Sequence, residues 1–526
     1  MTTTTIDRPP APSRHSEPSW RGRWIAAVGA GLAWVASLPP IGLWWLGPVA
    51  VALLGLAVRG LPPVRRATLG GMTGLVVFGA TLRWATIFTV PGYVLLVLTQ
   101  GAFVALAGLL VPRGRGWVLA LPAALTLTEW LRHRWPLSGL PLSSLALGQA
   151  DGPLLPLAAV GGPPLITLTV AAIGALAVLG VRRRAAGTAR GLVVAVGSFA
   201  LLALAGPLLP TALGTSGTGR SLDVAAVQGG GRRGLAAART EDTDVLARHL
   251  TTTREIDTDI DLVLWPENVI DVDGSQLDGP TVDAVSSVAQ ALGAPLVAGV
   301  TLDAAPSSED RPGVRRFRNL AVVFGSDGQV GPTYDKVVRV PFGEYVPLRP
   351  VIDRIADLSL IPRDAVPGSG PGVLDTQLGR LGVMVSFEGL YADRARDAVA
   401  AGATVLLVPT NASSYVTADV PEQQVAAARL RAIETGRWVV LAGPTGPAAM
   451  VGPDGDVAAR SDLEEQTVVI GRVDLRQGRT PYGRAGDLPT LLVAGAALLA
   501  AHRPDWRSGN DLGGPHTVDA GEDRHA

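Results

Sequence analysis

Residues 24–58 read WIAAVGAGLAWVASLPPIGLWWLGPVAVALLGLAV and contain no charged side chain in 35 positions. Pro39-Pro40 divides this stretch into two segments. Each segment is close to the ~20 apolar residues that an α-helix needs to cross a bilayer. The stretch therefore predicts two consecutive membrane-spanning helices.

The same absence of charge recurs along the chain. Further charge-free runs cover residues 67–82, 84–112, 116–128, 152–181, 191–219 and 488–502. A buried soluble core could imitate one such run but hardly all of them. We count eight predicted spans, seven before residue 210 and one after residue 487. The predicted fold is thus a multi-pass α-helical membrane bundle of about eight spans.

The composition excludes several classes of protein. Charged residues make up 17% of the 526 residues, below the roughly 25% of a soluble globular chain, and the mean hydropathy is +0.31. The net charge of zero argues against a nucleic-acid-binding protein. Because cysteine is absent, disulfides, thiolate metal sites and thiol nucleophiles are excluded. No metal and no organic cofactor is predicted.

The placement of arginines predicts the orientation of the spans. With eight spans, one side of the membrane receives the arginines of segments 8–23, 59–66, 113–115, 182–190 and 503–507. The short loops of the other side carry only Arg83, Arg132 and Arg134. Because arginine-rich loops stay in the cytoplasm, both termini are predicted to be cytoplasmic. The long segment between spans seven and eight is then extracytoplasmic.

That long segment is typical of an α/β domain. Short apolar runs predict buried strands at residues 223–227, 261–265, 295–300, 320–324, 382–385, 404–408, 438–442 and 468–473. Helical patterns intervene at residues 281–292, 391–400 and 421–435. The predicted division is a disordered tail at 1–20, a membrane domain at 21–210, the α/β domain at 220–480, a final span at 487–503 and a polar tail at 504–526.

The chain contains a single lysine. Of its 45 basic residues, Lys336 is the only one that is not arginine. Lysine presents a compact ammonium with an adjustable pKa, which arginine cannot do. A lysine in so arginine-biased a chain predicts a specific role, and chance survival is the alternative.

Three polar residues stand at the ends or flanks of predicted strands, namely Glu267, Lys336 and Ser386. Open α/β folds bind ligands at such a rim. A carboxylate can act as a base, an ammonium can stabilise an oxyanion and a hydroxyl can attack a carbonyl. Taken singly, each has a plain alternative: Glu267 as a helix cap, Lys336 as a surface charge, and Ser386 as a small residue at a strand end.

Several segments resemble the carbon–nitrogen hydrolase, or nitrilase, superfamily. They are Val227-Gln228-Gly229, Trp265-Pro266-Glu267, Asp335-Lys336, PFGEYVP at 341–347 and RAIETGR at 431–437. Together with the predicted spans, they make the chain similar to apolipoprotein N-acyltransferases. Residues 122–149 and 480–484 resemble the membrane signature of that family. The resemblance covers residues 24–502.

The resemblance implies a membrane bundle that carries an α-β-β-α nitrilase-like sandwich outside the cytoplasm. It also implies transfer of an acyl chain from a phospholipid to the diacylglyceryl-cysteine of a lipoprotein. The family's catalytic Glu and Lys fall on Glu267 and Lys336, and the position of its catalytic Cys is Ser386. Supporting positions fall on Glu344, Glu388, Phe387 and Asn319.

The roles implied are those of a ping-pong acyl transfer. Glu267 is expected to take the proton of Ser386, while Lys336 and a backbone N–H near Phe387 hold the oxyanion. Glu344 is expected either to orient Lys336 or to help deprotonate the acceptor amine. The acyl-enzyme is expected to face lipid and exclude water.

Serine at the position of the family's cysteine leaves the activity open, because a hydroxyl needs stronger activation than a thiol. Residues 229–238 and the loop at 411–415 also depart from the family pattern. The retained acidic residues and Lys336 favour an active N-acyltransferase that uses Ser386. The alternatives are a catalytically inactive relative that binds lipid or a partner, such as an anchor for a polyprenol-phosphate mannose synthase, and a membrane-anchored amidase.

Two further charged groups have predicted roles. Residues 132–134, Arg-His-Arg, lie near two tryptophans and either hold lipid head groups or form an ordinary interfacial anchor. Arg431, Glu434 and Arg437 recur at helical spacing, which predicts ion pairs that brace the α/β domain.

Overall fold

The computed structural model describes residues 19–87, 89–185, 213–233, 242–305, 314–352, 354, 358, 363–413, 415 and 419–504. The helices are α1 (Trp20–Ser37), α2 (Leu46–Val58), α3 (Pro63–Thr81), α4 (Val90–Leu110), α5 (Trp117–Arg132), α6 (Ala158–Ala185), α7 (Asp242–Thr253), α8 (Pro280–Leu292), α9 (Arg349–Ile352), α10 (Ala392–Ala400), α11 (Asp419–Thr435), α12 (Pro481–Ala485) and α13 (Leu488–Ala501). The strands are β1 (Thr215–Gln228), β2 (Leu262–Leu264), β3 (Ile270–Val272), β4 (Leu296–Asp303), β5 (Arg315–Phe324), β6 (Val330–Asp335), β7 (Arg363–Ala365), β8 (Val373–Thr376), β9 (Gly379–Val383), β10 (Val405–Pro409), β11 (Val439–Ala442), β12 (Ala449–Val451), β13 (Val457–Arg460) and β14 (Thr467–Gly478).

Helices α1 to α6 and α13 coincide with predicted spans and share one apolar core. The remaining predicted span, at 191–219, lies mostly outside the described residues, as do most of both predicted tails. Within the described part of the chain, α4 and the segment Leu155–Gly180 are long and apolar enough to cross a bilayer, and α2 and α13 are shorter apolar helices. The helical bundle is observed, and the count of eight spans stays a prediction.

A non-helical segment after α5 lies buried inside the bundle, where water cannot satisfy its backbone. Arg132 donates hydrogen bonds of 2.7 and 2.9 Å to the carbonyls of Leu140 and Leu142. The Glu129 carboxylate accepts the N–H of Leu145 at 3.1 Å. Arg132 is 2% exposed, so it supports this segment. The prediction that it holds lipid head groups or forms an interfacial anchor is wrong for this side chain.

The α/β domain contains two sheets. One has the strand order β14-β1-β2-β4-β5-β6, with β3 paired to β4 and β7 paired to β5. The other has the order β13-β12-β11-β10-β9-β8. Each apolar run predicted as a strand coincides with an observed strand, because a run of buried Val, Leu and Ala fits a sheet that is covered on both faces.

The two sheets pack face to face around an apolar cluster. Leu222, Val224 and Leu264 from the first sheet join Val383 and Leu407 from the second. The outer face of the first sheet packs against α7 and α8, and the outer face of the second packs against α10 and α11. The predicted α-β-β-α sandwich is therefore the observed architecture.

Helix α11 is buried around its circumference because it lies between the second sheet and the bundle. Ala428 and Ala432 pack towards the sheet, whereas Ala427 and Leu430 belong to the core of the bundle. A helix that is covered on all sides has no solvated face. The α/β domain therefore sits directly on the bundle, with α11 as the shared element.

Gly436, which ends α11, provides a stability test. Its φ is +65°, and a Cβ there would lie 2.6 Å from Cγ2 of Thr215. Gly293 ends α8 at the same φ, with no heavy atom within 4 Å of the Cβ position. We expect Gly293→Ala to cost ~1 kcal/mol for backbone conformation alone, and Gly436→Ala to cost clearly more. Thermal unfolding in detergent measures both costs. Equal costs would contradict the close contact between Gly436 and Thr215.

Candidate active site

A buried ammonium lies between two carboxylates at the ends of β2 and β6. Lys336 Nζ donates to Glu267 Oε1 at 2.8 Å and to Glu344 Oε1 at 2.7 Å. Asn319 Nδ2 donates to the same two oxygens at 2.8 and 2.9 Å. Lys336 is 2% exposed and Glu267 is 3% exposed. The alternative that Lys336 is a surface charge is therefore wrong.

The charge of Lys336 is fixed by its neighbours. Burial alone would lower the pKa of Lys336, because leaving water disfavours an ammonium. The carboxylates of Glu267 and Glu344 outweigh burial and raise the pKa of Lys336 above its ordinary value. Lys336 thus stays protonated near neutral pH, so its ammonium is able to stabilise negative charge.

The two carboxylates are not equivalent. Glu344 accepts from Lys336 and Asn319 on Oε1 and from the Val340 N–H on Oε2, at 2.7 Å. The hydrogen bonds that described residues donate to Glu267 both end on Oε1. Oε2 of Glu267 is therefore available to take a proton, whereas both oxygens of Glu344 are occupied. Of the two predicted roles of Glu344, this geometry favours the orientation of Lys336.

Ser386 begins a 3₁₀ turn, Ser386–Leu390, that follows β9. Its φ of +54° lies in the left-handed region, which costs a non-glycine residue roughly 1–2 kcal/mol. Thr410 Oγ1 lies 3.5 Å from Ser386 Oγ, and the Thr410 carbonyl accepts the N–H of Glu267 at 3.3 Å. Thr410 therefore joins the serine to the segment that carries Glu267.

Glu388 ties the serine turn to the loop that follows Lys336. It is fully buried. Its carboxylate accepts hydrogen bonds of 2.8 to 3.1 Å from three backbone N–H groups, those of Val337, Val338 and Val385. The first two follow Lys336 in the chain, and the third precedes Ser386. Glu388 is therefore placed to position both side chains at once.

Tyr334 and Arg394 complete this second network. The Tyr334 hydroxyl donates to Glu388 Oε1 at 2.8 Å, and Arg394 Nη2 donates to the Tyr334 hydroxyl at 2.7 Å. Burial raises the pKa of Glu388, and the Arg394 charge opposes that rise. Neither residue is among the site residues predicted from the sequence. Tyr334 lies on β6, two positions before Lys336 in the chain. That proximity is a signal that could have identified Tyr334.

Aromatic side chains lie between this site and the bundle. Tyr415 packs edge-on against Trp84, which follows α3, with ring centroids 4.9 Å apart. Phe387 packs edge-on against Tyr391, with centroids 5.2 Å apart. Burial and then the nearby Glu267 carboxylate raise the pKa of Tyr415 to about 12. These aromatic side chains therefore pack the site against the core of the bundle.

Two family models match the chain: the apolipoprotein N-acyltransferase N-terminal domain at residues 30–176, and carbon-nitrogen hydrolase at residues 223–480. The apolipoprotein N-acyltransferase of Mycolicibacterium smegmatis is 31% identical over 90% of this chain and 84% of its own length. That of Pseudomonas aeruginosa PAO1 is 30% identical over 92% of this chain and 96% of its own length. The chain belongs to the apolipoprotein N-acyltransferase family.

Membership of the apolipoprotein N-acyltransferase family confirms the resemblance seen in the sequence and makes the protein an acyltransferase of a membrane-associated family. A solved structure from Saccharomyces cerevisiae, a member of branch 10 of the nitrilase superfamily, covers 48% of this chain and 90% of its own length. It is 20% identical with a TM-score of 0.36. The family models, and not this likeness, identify the α/β domain.

The charged groups outside the site have structural partners. Arg431 pairs with Glu434 at 2.7 Å, as predicted. Arg437 instead donates to three backbone carbonyls, so the prediction of an ion pair is wrong for this residue. Arg134 pairs with Asp487 at 2.5 Å and joins the end of α5 to the start of α13. A contact of Arg134 or its neighbour at position 133 with lipid head groups stays a prediction.

The buried charge cluster predicts an asymmetric stability response. Lys336→Met leaves two buried carboxylates without their counter-charge, so we expect the free energy of unfolding to fall by roughly 3–5 kcal/mol. Adding Glu344→Gln to that variant removes one negative charge and should restore part of the loss. Thermal unfolding in detergent measures all three proteins. A Lys336→Met variant as stable as the wild type would contradict the claim that Lys336 supplies the counter-charge of the two buried carboxylates.

Proposed function

We propose that this protein moves a fatty acyl chain from a phospholipid to the N-terminal diacylglyceryl-cysteine of lipoproteins, through an acyl-enzyme on Ser386. One observation carries the proposal. A buried ammonium and a carboxylate oxygen that accepts no hydrogen bond from the described residues are linked to the turn of Ser386 through Thr410 and Glu388. The names of the relatives support acyl transfer to an amine of a lipoprotein.

The first half-reaction forms the acyl-enzyme. Oε2 of Glu267 takes the hydroxyl proton of Ser386 as Oγ bonds to the ester carbonyl carbon of the phospholipid. Lys336 and the backbone N–H of Phe387 stabilise the negative oxygen of the tetrahedral intermediate, where one such donor is typically worth ~3 kcal/mol. The bond from carbon to the alcohol oxygen then breaks. Glu267 returns the proton to that oxygen, and lysophospholipid leaves.

The second half-reaction transfers the chain. The α-amino nitrogen of the lipoprotein attacks the acyl carbon, and Glu267 takes a proton from that nitrogen. The bond between the carbon and Ser386 Oγ breaks as the amide forms, and Glu267 reprotonates Oγ. Glu344, whose oxygens are both occupied, keeps Lys336 in place through both half-reactions.

Aminolysis succeeds only where water is scarce, because water would otherwise hydrolyse the acyl-serine. Val338 and Val340, which follow Lys336, pack against the apolar core of the bundle, as does Tyr415. Ser386 itself is 7% exposed. This burial supports a reaction in a site that receives its acyl chain from the lipid side.

The proposal includes a topology. Eight spans place both termini in the cytoplasm and the nitrilase-like domain outside it, next to the lipoprotein substrates. The distribution of arginines in the loops supports this orientation. The bundle of helices beneath the domain supports a multi-pass protein.

Serine at the position of the family's cysteine favours one alternative, a family member that has lost the acyltransferase activity. An inactive relative could anchor or regulate a partner, such as a polyprenol-phosphate mannose synthase, and that association stays a prediction. A pure scaffold has no use for a buried lysine between two carboxylates, since such clusters rarely add stability over apolar packing. The retained cluster therefore favours an enzyme.

Intact-mass analysis after incubation with phospholipid tests the enzyme directly. We expect a mass increase of one acyl chain on the wild type, because Ser386 becomes esterified. The adduct should disappear when a diacylglyceryl-cysteinyl peptide is added.

Three variants serve as controls. Ser386→Ala should form no adduct, and Lys336→Ala should form it at least ~100-fold more slowly, because the oxyanion loses its charged donor. An adduct on Ser386→Cys but none on the wild type would mean an intact site that has lost its nucleophile. The scaffold reading would then replace the enzyme.

A further inference from the structure

We propose that Thr410, held by Gln424, is a positioning residue that orients the hydroxyl of Ser386 towards its proposed base, Glu267. The inference rests on the proposed function, because it assumes that Ser386 carries the acyl chain. Neither residue belongs to the set of catalytic and supporting positions identified from the sequence. Thr410 directly follows β10 and is 2% exposed.

The backbone of Thr410 is fixed on both sides. Its N–H donates to the Ala442 carbonyl of β11 at 2.8 Å, and its carbonyl accepts the N–H of Glu267 at 3.3 Å. The first bond continues the ladder of the second sheet, and the second reaches across to the segment after β2 in the first sheet. Thr410 therefore has one location relative to Glu267.

The side chain of Thr410 lies between Gln424 and Ser386. Gln424 Nε2 donates to Thr410 Oγ1 at 2.8 Å. A hydroxyl has a single proton and two lone pairs, and Gln424 takes one of the lone pairs. The proposal places the Thr410 proton on the contact with Ser386 Oγ, 3.5 Å away. That distance is long for a hydrogen bond between hydroxyls, and catalytic contacts commonly tighten when substrate binds.

This direction matters for a serine nucleophile. When Oγ of Ser386 accepts a hydrogen bond from Thr410, the proton of Ser386 itself is free to point in another direction. Glu267 is the proposed base that takes this proton. A cysteine needs less help, because a few per cent of a thiol is already thiolate near neutral pH. The contribution of Thr410 and Gln424 to the rate of acylation should therefore depend on having serine at position 386.

The contacts that hold Thr410 extend to the bundle. Gln423, next to Gln424 on α11, accepts the N–H of Ser143 at 2.7 Å. Ser143 belongs to the buried non-helical segment of the bundle and is fully buried. The two neighbouring glutamines thus fix α11 to the bundle on one side and direct Thr410 on the other.

The test compares Thr410→Val, which removes the hydroxyl at nearly constant shape, with Thr410→Ser, which keeps it. The rate of acyl-enzyme formation is followed by intact mass with phospholipid as donor. We expect Thr410→Val to slow acylation roughly tenfold or more, since a misdirected nucleophile is costly. Thr410→Ser should stay within about threefold of the wild type. Gln424→Leu should behave like Thr410→Val, and thermal unfolding shows which variants fold.

The same pair of variants in a Ser386→Cys background separates positioning from packing. There we expect Thr410→Val to slow acylation less than about threefold, because the thiol at position 386 ionises without help from the Thr410 hydroxyl. Equal slowing in both backgrounds, or no slowing by either Thr410→Val or Gln424→Leu, would overturn the inference alone. No adduct on the wild type would overturn the proposed function, and this inference with it.

Discussion

The buried ion cluster of Lys336 with Glu267 and Glu344 is the constraint on which the site depends. A lone buried charge is very costly, and a buried pair offsets that cost only when its geometry is good. Here Lys336 and the amide of Asn319 bind one oxygen of each carboxylate. The Val340 N–H binds the second oxygen of Glu344, and the second oxygen of Glu267 is left for the proposed proton transfer. Lysine suits this place because it is a compact point charge, whereas the forked guanidinium of arginine has a different shape.

Helix α11 connects the candidate active site to the helical bundle. It packs on the second sheet and on the bundle at the same time. Gln423 contacts the bundle, and Gln424 contacts Thr410 beside the serine. The proposed nucleophile, Ser386, is therefore connected through Thr410 to the same element that joins the two domains. A change in how the α/β domain sits on the bundle would therefore reach Ser386 through Gln424 and Thr410.

The sequence predicts the layers and much of the site because both follow local patterns. Apolar runs located the strands, and polar residues at their ends identified Glu267 and Lys336. The rest depends on long-range contacts. Thr410 also follows a strand, but threonine is common there and its partner Gln424 lies on another element. Arg132 resembles an interfacial anchor until the buried carbonyls that it supports are known.

Lysophospholipid release without an acceptor tests the central claim most directly. The wild type is mixed with phospholipid, and the released lysophospholipid is counted per enzyme. An acyl-serine in a water-poor site predicts a rapid burst of about one equivalent, then a halt that ends when the lipoprotein peptide is added. Continuous release would contradict the exclusion of water. Release only after the peptide is added would contradict the acyl-enzyme on Ser386.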